Sequence, residues 1–133
     1  MLSEPISSAV ERALAKWREE QFRWGRSDCI LSVCDYIHDV TGADPAEPWR
    51  GTYWTEEGAN RIVDQFGGVL PLFSYGMALK GYQTREPGPG AAVIAAIHGD
   101  DIAGICVGRD SVFRLERGVT RFRADIKAAW RFD

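Results

Sequence analysis

The spacing of apolar positions changes near the middle of the chain. Up to about residue 80 they recur at helical intervals, and beyond residue 90 they fall into short runs bounded by turn residues. Ile6, Val10, Ala13, Leu14 and Trp17 mark one face of a first helix, with Ser3 as its cap, Pro5 in its first turn and an end near Glu20 or Gln21. A short loop over residues 22–27, containing Gly25, leads into a second helix. Ser27 or Asp28 opens it, Ile30, Leu31, Cys34, Ile37 and Val40 form its apolar stripe, and Gly42 stops it. After an irregular loop over 43–54, Thr55 caps a third helix that runs to Phe66 and ends at Gly67-Gly68. A fourth helix covers 71–80, with Gly81 as its stop.

The segment Glu86-Pro87-Gly88-Pro89-Gly90 continues neither helix nor strand and marks the switch. Strands are predicted over 91–97, 102–107, 111–116, 119–123 and 127–132. The turns between them include His98-Gly99-Asp100-Asp101, Gly108-Arg109-Asp110 and Arg117-Gly118. Connections this short favour antiparallel pairing. The pattern is that of an α+β fold in one domain, 1–133, with a helical half (1–85) packed on an antiparallel sheet half (90–133). There is no internal repeat, and the Pro/Gly break is too short to act as a linker between separate domains.

Composition narrows the function classes. With 133 residues the chain is long enough to bury a core. Nineteen acidic residues against 16 basic ones give a formal charge of -3, which argues against a nucleic-acid binder. No apolar run approaches the ~20 residues of a membrane span, so no membrane insertion is expected. The first residues lack the basic start and apolar stretch of a signal peptide, so the protein is expected to be made and kept in the cytoplasm, or exported only as part of something larger. Cys29, Cys34 and Cys106 have no metal-like spacing, and positions five apart on a helix face different ways. All three read as reduced thiols. No phosphate loop, zinc spacing or paired-carboxylate signature is present, so neither cofactor nor metal is expected.

One position carries a chemical suggestion. Asp28-Cys29 stands where a loop feeds the start of an apolar helix. The unpaired amides and the macrodipole at such an end stabilise an anion, so a cysteine there tends toward the reactive thiolate. The same amides can hold an oxyanion. The plainer reading is a small buried residue, the commonest fate of a free cysteine.

The surrounding residues sharpen this. Phe22-Arg23-Trp24-Gly25-Arg26-Ser27-Asp28-Cys29 resembles the nucleophile region of the papain-like, NlpC-type cell-wall peptidases, in which aromatics and a Gly precede Asp-Cys. Pro89-Gly90-Ala91-Ala92-Val93-Ile94 resembles that family's first sheet strand, and Ile102-Ala103-Gly104-Ile105-Cys106-Val107-Gly108 its next. The resemblance implies a papain-like fold with Cys29 as nucleophile, opening the central helix. It also places Ile102 where the catalytic His would stand and Phe113-Arg114 near the residue that would orient it. A Cys without a base loses most of its catalytic power. The substitute is His98, in a turn where Asp100 or Asp101 would orient it; the competing reading is an exposed turn residue without a role. His38 lies three turns along the second helix, too far to act.

A second series widens the resemblance to nearly the whole chain. Trp24-Gly25…Asp28-Cys29, Thr41-Gly42-Ala43-Asp44-Pro45, Arg50-Gly51-Thr52-Tyr53 and Ala129-Trp130-Arg131 are similar to small phage and prophage proteins encoded among tail-tip genes. That likeness implies a tail-tip or baseplate component of the virion, assembled in the host cytoplasm. Its partners would be other tail-tip or baseplate proteins, and peptidoglycan. Trp24, Asp28, Trp49, Arg50, Tyr53 and Trp54 are the candidate substrate- or partner-binding residues, since aromatics with Arg are enriched at interfaces; the alternative is that the 49–54 rings close the core. The reading adopted is a structural component with a degenerate active site. The alternatives are a working peptidoglycan endopeptidase, a cysteine peptidase using Cys29 and His98, and a small cytoplasmic binding module.

Overall fold

A computed structural model describes residues 5–133 as four helices followed by a five-stranded sheet. Helix α1 is Ile6–Glu19; its N-cap is Pro5, without a side-chain cap, and the expected cap Ser3 lies outside the described residues. Helix α2, Cys29–Thr41, is capped by the Asp28 carboxylate and closed by Gly42 in the left-handed conformation, φ 77°. Helix α3, Glu56–Phe66, is bounded by the Thr55 hydroxyl and Gly67, as its sequence pattern requires. Helix α4, Val69–Leu79, begins earlier than 71 because Pro71 fits inside a first turn whose N–H groups need no partner within the helix.

The strands are β1 Ala92–Ile97, β2 Asp100–Cys106, β3 Ser111–Leu115, β4 Gly118–Phe122 and β5 Asp125–Trp130. They form one sheet in the order β4-β3-β2-β1-β5, and every neighbouring pair is antiparallel. The first hairpin is tighter than the sequence suggested. Ile97 pairs with Asp100, leaving His98 and Gly99 alone in the turn at φ 50° and 85°. Positive φ at both central positions is the type I′ geometry that matches strand twist. β2 therefore starts at Asp100 rather than at 102.

The core lies between α2 and the sheet. Leu31, Val33, Cys34 and Ile37 pack with Ala92 and Ile94 of β1, Ala103 and Ile105 of β2 and Val112 of β3. The Tyr36 hydroxyl donates to the Gly90 carbonyl at 2.7 Å and ties the start of β1 to the later turns of α2. Ala91, Val93, Cys106 and Ala129 form a separate cluster on the other face of the sheet. Side chains alternate along a strand. With Ala103 and Ile105 toward the helices and Cys106 away, Ile102 and Gly104 also point away from α2.

Candidate functional site

The loop before α2 is stitched closed by its own side chains. The Ser27 hydroxyl, buried, donates to the Gln21 carbonyl at 2.7 Å and accepts from the Arg23 amide at 2.9 Å. Asp28 is 2% exposed and its two oxygens take three donors. The Leu31 amide reaches Oδ1 at 2.9 Å, while the Gly25 amide (3.0 Å) and the Tyr53 hydroxyl share Oδ2. Gly25 sits at φ 82°, and a Cβ there would lie 2.0 Å from the Tyr53 carbonyl oxygen. Only glycine lets the two segments approach this closely. Burial, with the Asp28 charge beside it, keeps the Tyr53 hydroxyl protonated and donating.

Cys29 is the first residue of α2, at the end where amides favour an anion. Burial pushes its thiol up to about 12, and the neighbouring Asp28 carboxylate adds to the rise; the helix amides lower it only in part. Moving a thiol from its ordinary value of 9 to about 12 disfavours the thiolate by roughly 4 kcal/mol. A helix end returns only about 0.3–1 kcal/mol at exposed sites and ~2 at best. The balance favours the thiol over the thiolate, although the residue is only partly buried.

The candidate base makes no hydrogen bond to Cys29 among the described residues. His98 is exposed in the β1–β2 turn. Among the described residues it makes no hydrogen bond or ion pair. Its expected orienters do not reach it: Asp101 is held by Lys127 at 3.0 Å, and Asp100 is exposed at the turn. Ile102, at the position matched to the base, lies on the face turned from α2. Arg114, near the matched orienter, is buried and donates to backbone carbonyls of Glu20 and Leu115. His38 is exposed near the end of α2.

The aromatic candidates divide. Trp24 is half-buried and meets the edge of Phe22 at 5.0 Å. Trp49 packs inward on Phe66 (5.6 Å) and Tyr75 (6.2 Å). Tyr53 is engaged by Asp28, and only Trp54, 74% exposed, projects freely. It borders a shallow groove of about 470 Å³ with Thr52, Arg61 and Gln65. Arg50 faces inward as well. It bonds Asp44 through Nε and Asp35 through Nη2 at 2.7 Å, fastening the 43–54 loop to α2. Desolvation works against ionisation of Asp44, but the Arg50 hydrogen bond overcomes it and holds the carboxyl below its usual range.

Ser27, Asp35 and Asp44 thus belong to the site although none was among the candidate site residues. Ser27 and Asp44 stand inside the quoted motifs, whereas Asp35 carries no local signal. Among the described residues no cluster of His, Cys, Asp and Glu is arranged to hold a metal. All three cysteines are free. A family model described as a domain of unknown function (DUF6950) matches residues 4–132. No curated protein and no solved structure matches the chain.

Proposed function

The chain belongs to the DUF6950 family, and for this member of it we propose a structural role: a phage tail-tip or baseplate component built on a papain-like, NlpC-type domain with a degenerate active site. One observation carries the reading. Cys29 occupies the helix start where a nucleophile would stand, yet its thiol is pushed up to about 12 and among the described residues no imidazole bonds to it. A nucleophile needs a base within about 2.6–3.2 Å, or somewhat looser before substrate binds.

The motif residues support the same view, because they serve the fold. Trp24-Gly25…Asp28 and Arg50…Tyr53 close on each other, and Asp44 holds Arg50. The residues that resemble a peptidase are spent on joining two loops to α2. Trp54, left exposed, is the aromatic available to a neighbouring tail-tip protein.

Two measurements test this. Purified protein releases no stem peptides from isolated cell walls, and Cys29→Ala leaves association with the other tail-tip proteins intact. At pH 8 the native Cys29 thiol reacts with iodoacetamide about a thousandfold more slowly than in the denatured chain, the ratio expected from its thiolate fraction. Wall lysis abolished by both Cys29→Ala and His98→Ala would establish the peptidase and overturn the structural role.

A further inference from the structure

We propose that the groove between the end of α1 and the β3–β4 hairpin is a carboxylate-binding site centred on Arg114. The side chain is 2% exposed and stands under Phe22, with Cζ 5.5 Å from the ring centroid. Nη2 donates to the Glu20 carbonyl at 2.6 Å and Nη1 to the Leu115 carbonyl at 3.1 Å, while the buried Nε has no partner. A guanidinium is a fixed cation with five N–H donors. Here both acceptors are neutral carbonyls, and no carboxylate pairs with it among the described residues. Arginine is almost never fully buried without a partner. The end of α1 offsets some of the charge, since its carbonyls carry about half an elementary charge. The rest is unanswered.

A groove of about 410 Å³ opens beside this cation, with exposed Arg18 and Arg117 on its rim. Glu20 and Glu116 also line it, but neither reaches Arg114 with its carboxylate. The volume falls within the usual range of small-ligand sites, roughly 300–1,000 Å³. The place is accessible, because β4 is an edge of the sheet. A carboxylate entering here meets the exposed Arg117 and Arg18 at the rim and lies above the buried Arg114 cation, which attracts it through charge. Its source is either a small organic acid or an acidic side chain of a partner protein.

The test uses the full chain labelled with ¹⁵N, titrated in parallel with succinate and with an acidic Asp/Glu hexapeptide. The Arg114 Nε–H and Gly118 amide resonances report occupancy. Saturable shifts are expected with at least one probe. Arg117→Gln, an exposed change that leaves the fold intact, weakens binding about tenfold, the loss of one charge-assisted contact. Arg114→Gln abolishes it, with circular dichroism confirming that this variant folds. Saturation by the peptide at far lower concentration than succinate identifies a partner protein; the reverse order identifies a small acid. The proposal is overturned if neither probe shifts these resonances, if sodium chloride shifts them equally, or if Arg117→Gln binds like the parent.

Discussion

Replacing Asp28 by Asn separates a structural role for this carboxylate from that of an ordinary cap. At an exposed helix start the two residues cap about equally well, so the exchange should cost close to nothing. Asp28 is different, because it is buried and its two oxygens accept from three donors. Asn offers one acceptor oxygen and one donating amide. If the oxygen serves the Leu31 amide, the new NH₂ faces the Gly25 N–H and the Tyr53 O–H. Tyr53 can rotate its hydroxyl to accept, but the Gly25 amide cannot. A hydrogen bond to a charged group contributes about 1.5–3 kcal/mol, and stranding a buried donor costs about 1–3. Asp28→Asn should therefore destabilise the protein by about 2–4 kcal/mol. With a urea slope near 1.5 kcal/mol/M, that is a midpoint lower by roughly 2 M. Tyr53→Phe removes one partner alone, and the double variant should be less destabilised than the sum by about 1–2 kcal/mol, since the two share one bond. A midpoint for Asp28→Asn within ~0.3 M of the parent would refute the three-donor arrangement.

Gly25→Ala combines φ 82° with a Cβ 2.0 Å from a backbone oxygen, whereas Gly51→Ala has a similar φ of 76° and open space around it. Thermal melts should show a loss above ~3 kcal/mol for the first and only ~1 for the second; equal losses would mean the Gly25–Tyr53 approach is absent. Asp44→Asn should cost about 1–2 kcal/mol at pH 7, between a surface pair and a broken buried one. Because the folded Asp44 carboxyl is held below its usual range, its contribution is present above the unfolded value near pH 3.9 and disappears as pH falls through the folded one. The gap between urea melts of parent and variant should therefore hold above about pH 4 and close only as pH falls further, through the lower folded value, and a constant gap would exclude the carboxylate as the cause.

Much of the secondary structure was legible because its signals are local. Thr55 with Gly67, and Asp28 with Gly42, bound their helices by capping chemistry that neighbouring residues decide. The His98-Gly99 turn shows the limit of such reading. Asp100 and Asp101 look like turn residues by composition, but a two-residue I′ turn needs only two positions at positive φ, so both aspartates join β2.

The sequence by itself determined the order of the elements, the helix boundaries set by caps and the division into helices followed by an antiparallel sheet. Periodicity and capping act over a few residues and need no distant partner. Tertiary structure alone decided where the chemically suggestive residues sit and what they touch. The motif placed Cys29 at a helix start, which favours a thiolate, but desolvation by the packed surroundings and the Asp28 charge outweigh that local effect. Asp28 and Tyr53 are 25 residues apart, so nothing near either one announces that they bond. Nothing local to Arg50 announces that Asp44 and Asp35 are brought to it across loop and helix. Strand register turned Ile102 from α2, and a one-residue shift would have turned it the other way. Burial and charge pairing are sums over the whole fold, which is why the site became readable only once the chain had closed on itself.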